Sequence, residues 1–188
     1  MNHPEHGGDS LLAQVRSGRA ARKSMRFRLI DRIVEIEPGA RITAVKALSG
    51  SEDYLKDHFP LFPVMPGVLM LEAMYQAAAW LVRKTDEFGY ALVLLKEARN
   101  VKYSDFVAPG QVLTVTAEYF KQEGDLITLK TSGTVGGNVA VSARLILQRG
   151  HIAVRQPSRA TTDPYTRQRM REIYDELYRP AAPAESLV

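Results

Sequence analysis

The polarity pattern along the chain changes character several times. From Arg26, "RFRLIDRIVEI" and "ARITAVKAL" show the two-residue alternation of β-strands, and the Pro-Gly turn "EPGA" between them predicts a hairpin. After the polar stretch "SGSEDYLKD" and a proline-spaced loop from His58 to Pro66, the pattern turns helical. Pro66 and Gly67 read as the entry to a helix over about Val68 to Lys84. This helix is apolar almost all round, which predicts burial on every side. Four further β-type runs follow: "ALVLLKEARNVKYSDFV", "QVLTVTAEYF", "DLITLKTSGTV" and "NVAVSARLILQ". They are separated by the turn signals "APG", "KQEGD" and "GGN", and the last three predict an antiparallel meander. The sum is an α+β domain, an antiparallel β-sheet wrapped around one long buried central helix.

Three segments follow from this pattern. Residues 1–24 are polar and aperiodic and read as a flexible basic extension, residues 25–149 as the folded domain, and residues 150–188 as a C-terminal extension. Within the last, "DPYTRQRMREIYDELY" predicts an amphipathic helix over about 164–178. Asp163 is placed to cap it, and Met170, Ile173, Tyr174, Leu177 and Tyr178 form one stripe.

Composition narrows the function classes. At 188 residues with 45% hydrophobic content the chain is long enough for a single domain with a real core. Without cysteine there are neither disulfides nor thiolate metal sites, and no His and carboxylate pair has metal-ligand spacing, so no metal site is expected. The N-terminus has no apolar run suited to a signal peptide, and a cytoplasmic protein is expected. Val64 to Val82 is apolar, but Pro66, Gly67, Glu72 and Gln76 interrupt it, so membrane insertion is not expected. The net charge of +4 is concentrated in arginines of the two extensions, which suits an acidic partner.

The chemistry concentrates in "DHFPLFPVMPGVLMLEAMYQAAAWLV". Between Phe59 and Val82 the one charged side chain is Glu72. A carboxylate in an apolar surround must pair, bind a metal or hold a proton, and Gln76, one turn on, is a candidate partner. The loop stiffened by Pro60, Pro63 and Pro66 can return His58 to the helix start, where backbone N–H groups would receive a carbonyl oxygen. A base, an acid and an oxyanion site together would remove a proton beside a carbonyl and protonate a leaving group. From spacing alone a histidine at the start of a loop, such as His58, is ordinarily a surface or hydrogen-bonded residue, and Glu72 reads either as a functional acid or as a structural buried one. "GTVGGN" lies between two strands and reads as a turn, not a dinucleotide fingerprint.

The stretch "HFPLFPVMPGVLMLEAMYQ" resembles the signature of the FabZ-type 3-hydroxyacyl-[acyl-carrier-protein] dehydratases, in which HFP, two further prolines, PG and LEAM-x-Q occur in this order. The resemblance extends over residues 26–148 and implies the hot-dog fold. It places His58 on the family's catalytic base and Glu72 on its catalytic acid. Gly67 and Val68 fall where the backbone holds the thioester carbonyl, with Phe59, Pro66 and Gln76 at the substrate site. The implied reaction converts (3R)-3-hydroxyacyl thioesters to trans-2-enoyl thioesters in fatty-acid or related acyl biosynthesis, without cofactor. The implied partner is acyl carrier protein, not nucleic acid. The implied assembly is a homodimer, or a trimer of such dimers, whose sites take the histidine from one chain and the acid from the other. Two departures stand out: Asp57 precedes His58 where the family has Gly, and Leu61 and Phe62 replace Gly-Lys or Gly-Arg after Pro60, which would reshape the acyl entrance. The rival readings are a non-catalytic acyl-thioester-binding protein and a thioesterase of the same fold.

Overall fold

The computed structural model describes residues 27–178. The extension over residues 1–24 and the end beyond Tyr178 lie outside them. The order is β1 (Arg32–Glu37), β2 (Arg41–Ala47), a 3-10 turn (Asp53–Leu55), α1 (Gly67–Thr85), β3 (Leu92–Tyr103), β4 (Val112–Glu123), β5 (Leu126–Val135), β6 (Asn138–Gly150), the short α2 (Ile152–Arg155), a second 3-10 turn (Pro157–Arg159) and α3 (Thr162–Leu177). All strand pairs are antiparallel, in the order β1-β2-β4-β5-β6-β3. The expected meander is β4-β5-β6. Its second link is a two-residue turn at Gly136 and Gly137, both left-handed at φ 56° and 87°, which is what the "GGN" signal implies.

Alternation along the strands explains how the sheet closes around the helix. Leu113, Val115 and Ala117 of β4, Ile127 and Leu129 of β5, and Leu145 and Leu147 of β6 turn inward. They pack with Met70, Ala73, Met74, Ala77 and Leu81 of α1 in one core. A side chain at Gly133 would approach Val141 Cγ1 to 2.8 Å and Leu113 Cδ1 to 2.9 Å, so the β5 bulge there needs glycine. This is the hot-dog arrangement: a curled antiparallel sheet holding one long helix.

The helix is not covered on every side. Gln76 to Val82 are buried, but near its start Val68 is exposed and Leu69, Leu71, Glu72 and Tyr75 are only partly buried. The apolar pattern of α1 therefore exceeds what this chain alone can bury. Edge strand β3, twelve residues long, has β6 on one side and no strand on the other among the described residues. A long open edge beside a partly bare apolar helix is the kind of surface a second subunit covers.

The end of α1 is fixed by two residues in left-handed conformation, Glu87 (φ 49°) and Phe88 (φ 60°). Phe88 donates its N–H to Arg83 O at 2.7 Å, and its ring packs edge-on to Tyr174 of α3. Nearby, Arg149 at the end of β6 reaches Asp86 Oδ1 at 2.6 Å and lies over the Tyr90 ring. Helix α3 packs on this corner through Ile173, Tyr174 and Leu177. Arginines of the domain and of the C-terminal extension meet here: Arg28 pairs with Glu176, while Arg167 and Arg171 donate to the carbonyls of Gly89 and Glu87.

Asp163 does not cap α3. It lies inside the first turn, buried, and its carboxylate accepts N–H bonds from Ile152 at 2.8 Å and Ala153 at 3.2 Å. The donors left open at the start of α2 attract it more than those of its own helix, whose N-cap is Thr161.

Candidate active site

The loop before α1 stands on a charged cluster. Lys46 occupies the third inward position of β2 and is only 6% exposed. Its ammonium reaches Glu52 Oε1 at 2.5 Å and Asp31 Oδ1 at 3.7 Å. Asp31 also accepts the N–H of Ala47 at 2.7 Å. Beside them the Tyr54 hydroxyl is buried without a hydrogen-bond partner. Burial, with the charges of Glu52 and Asp31 adding, pushes its pKa up to about 12. This cluster holds the root of the segment that carries His58.

His58 itself is partly buried, its ring 4.5 Å from that of Phe59. Phe59 is left-handed at φ 51°, a strained position for an aromatic residue and the point at which the chain reverses, with Phe62 N–H bonding back to Phe59 O at 2.8 Å. Leu61 and Phe62 point outward, and the Phe62 ring meets that of Phe106 edge-on at 5.7 Å. The loop is then drawn in again: Val64 and Met65 are buried, and Met65 N–H donates to Val107 O at 2.8 Å.

Pro66 is the N-cap of α1 and accepts the N–H groups of Leu69 and Met70. Those of Gly67 and Val68 have no acceptor among the described residues. A Cβ at Gly67 would meet Tyr103 Cε1 at 2.9 Å, so a larger residue there would have to displace that ring.

Glu72 lies less than two turns further on and is half-buried, less than the apolar sequence around it implies. Its Oε1 accepts a hydrogen bond from Gln76 Nε2 at 2.9 Å, so the expected pairing is present. Gln76 is in turn held by the chain before β1, accepting from Leu29 N–H at 2.9 Å and donating to Phe27 O at 3.1 Å. Both residues open on a cavity of about 280 Å³, lined also by Phe27, Tyr75, Ala79, Trp80, Arg83 and Met170. Tyr75 donates its hydroxyl to Val93 O at 2.8 Å. Burial raises its pKa, with Arg83 opposing and Glu72 adding.

The structure thus brings Glu72 and Gln76 together and leaves His58 apart. No hydrogen bond or ion pair joins His58 to Glu72, and His58 does not line the Glu72 cavity. Phe59 and Pro66 are likewise absent from its lining. Residues that pattern alone did not single out are Lys46, whose inward position leaves the alternation of β2 intact, and Arg83, which sits where a helix ordinarily carries a solvated cation.

Comparison with known proteins places this geometry in context. A profile of the FabA-like domain matches residues 22–144. The 3-hydroxyacyl-[acyl-carrier-protein] dehydratase FabZ of Levilactobacillus brevis is 39% identical over 116 residues, covering 62% of this chain and 78% of that protein. The enzyme of the same name from Lactococcus lactis subsp. cremoris is 37% identical over 124 residues, covering 66% and 85%. Among solved structures, the dehydratase heterocomplex ApeI:P from Xenorhabdus doucetiae superposes with a TM-score of 0.55 at 19% identity, over 67% of this chain and 85% of that one. A hypothetical thioesterase from Streptococcus pneumoniae in complex with coenzyme A gives 0.51 at 13% identity, over 63% and 86%. These two speak for the shared fold alone. Helix α3 lies outside the matched domain.

Proposed function

The chain belongs to the family of FabA-like domains, and on that premise we propose that it dehydrates (3R)-3-hydroxyacyl thioesters, carried on acyl carrier protein, to trans-2-enoyl thioesters in fatty-acid or related acyl biosynthesis. The observation that carries the reading is the setting of Glu72. It is the one carboxyl in the apolar run of α1, fixed by Gln76, facing a mainly apolar cavity, and just beyond two unengaged N–H groups at the helix start.

In this reading the N–H groups of Gly67 and Val68 receive the thioester carbonyl and favour charge on its oxygen. His58 removes the C2 proton. Its electron pair becomes the C2=C3 double bond, the C3–O bond breaks, and Glu72 gives its proton to the departing hydroxyl, which leaves as water. Phe59 and Pro66 hold the loop over the substrate, and Gln76 fixes the Glu72 carboxyl. Because His58 and Glu72 stand apart within one chain, the site is completed by a second subunit, supported by the open β3 edge and the bare start of α1. The functional unit is a homodimer, alone or in a trimer of dimers, working in the cytoplasm. No helix among the described residues is long and apolar enough to cross a membrane.

The test is direct. Purified protein is given a (3R)-3-hydroxyacyl thioester, and enoyl formation and thiol release are followed together. Enoyl product is expected, and Glu72→Gln, which can still accept from Gln76 but carries no acid proton, should fold normally and be nearly inactive. Thiol release without enoyl product would make the protein a thioesterase, and binding without turnover a carrier of acyl thioesters.

A further inference from the structure

The cavity beside Glu72 has direction. Its α1 lining is one stripe, Glu72, Tyr75, Gln76, Ala79, Trp80 and Arg83, running toward the C-terminal end of the helix. If the carbonyl sits at Gly67 and Val68 and the 3-hydroxyl at Glu72, the rest of the acyl chain continues along this stripe. The inference therefore rests on the dehydratase reading for the order of the groups. Phe27 and Met170 form the opposing wall, and Met170 belongs to α3, outside the matched domain.

At the far end of an otherwise apolar passage stands a guanidinium. No Asp or Glu pairs with Arg83 among the described residues, and its Nε is buried without a hydrogen-bond partner. Its carbon Cζ lies 5.3 Å from the centre of the Trp80 ring, a cation–π contact that keeps the group beside the cavity. Burial works against its charge, a cost that an anion arriving there would offset. Arg83 stands eleven residues beyond Glu72, about 16 Å along the helix, and its side chain leans back over the preceding turn. Its charge acts on Tyr75, two turns back, in keeping with that direction. The arrangement is poorly suited to a methyl-terminated chain, which would have to desolvate a bare cation without replacing its water.

We propose that Arg83 is a specificity-determining residue and selects medium-length 3-hydroxyacyl chains whose far end carries a carboxylate. The planar fork of arginine donates two parallel hydrogen bonds to a carboxylate, and Met170 and Phe27 enclose the methylenes between the two ends.

The experiment uses the full chain and a matched pair of pantetheine thioesters, (3R)-3-hydroxyoctanoyl and the mono-thioester of (3R)-3-hydroxysuberic acid. Dehydration is read as kcat/KM, binding by calorimetry, and subunit mass by light scattering, for wild type, Arg83→Met and Arg83→Lys. Wild type should favour the carboxylated substrate about tenfold or more, the factor a charge-assisted hydrogen bond supplies. Arg83→Met should lose that preference while accepting the octanoyl chain at least as well, and Arg83→Lys should fall between. Equal or better use of the octanoyl chain by wild type overturns the proposal. So does an unchanged ratio in Arg83→Met, or in Arg83→Lys should the methionine variant not fold. A wild type without preference whose Arg83→Met variant dissociates would assign Arg83 to the subunit contact instead. If neither compound is dehydrated but the carboxylated one binds more tightly in an Arg83-dependent way, only the dehydratase reading falls.

Discussion

Gln76 donates from Nε2 to Glu72 Oε1 at 2.9 Å, while its own Oε1 accepts the N–H of Leu29 at 2.9 Å. One buried amide thus ties the acid on α1 to the chain entering β1. Its orientation follows from the partners, since only the amide oxygen can receive a backbone N–H.

Gln76→Leu keeps the volume but leaves Leu29 N–H and Phe27 O unsatisfied and Glu72 free to turn. Stability in urea should fall by about 1–3 kcal/mol, the usual penalty for orphaned buried polar groups. Because Gln76 positions the acid and does not itself transfer a proton, kcat should drop at temperatures where the variant is fully folded, with KM little changed. A wild-type kcat in the folded variant would show that Glu72 needs no such anchor.

Much of this was legible because local patterns answer to local forces. The strands and α1 follow from alternation and from Pro66, and Glu72 stands out since charge is rare in a buried helix. What escaped depends on contacts distant in sequence. Lys46 reads as an ordinary strand residue until Asp31 and Glu52 are seen to close on it. Asp163 is followed directly by Pro164 and so imitates a cap for α3, while the N–H groups it serves lie ten and eleven residues earlier. The exposure of Val68 beside sealed Met70 shows the other limit: an apolar pattern says that a face will be covered, not by which chain.

Tyr54 supplies a pH prediction. Its folded pKa is pushed from 10.0 to about 12, foremost by burial and then by Glu52 and Asp31. Between these values the unfolded chain loses its phenolic proton while the folded one keeps it, so the unfolded state binds fewer protons and stability falls as pH rises from about 10 to 12. Tyr174, raised to about 12 mainly by burial, acts in the same direction. Since the Tyr54 hydroxyl has no hydrogen-bond partner, Tyr54→Phe should leave the melting temperature at neutral pH nearly unchanged and reduce the alkaline loss. An alkaline melting profile identical to wild type would assign that loss to other groups.

The separation of His58 from Glu72 within one chain leads to the prediction on assembly. If each site takes its histidine from one subunit and its acid from the other, then His58→Ala and Glu72→Gln chains, each inactive alone, should restore one another. In a mixed dimer one site inherits both defects, and the other inherits His58 and Glu72 intact. Unfolding the two variants together and refolding them pairs chains at random, so about half the dimers are mixed and each has one working site of two, giving recovery of roughly a quarter of wild-type activity under twofold symmetry. A loop folding His58 back onto its own helix would behave otherwise, since every chain would then hold one defect in its only site. Zero activity in a preparation whose mixed dimers are proven by differential tagging would refute the shared site. Recovery near a quarter would also explain why α1 leaves Val68 exposed and Leu69 only partly buried so close to its working end.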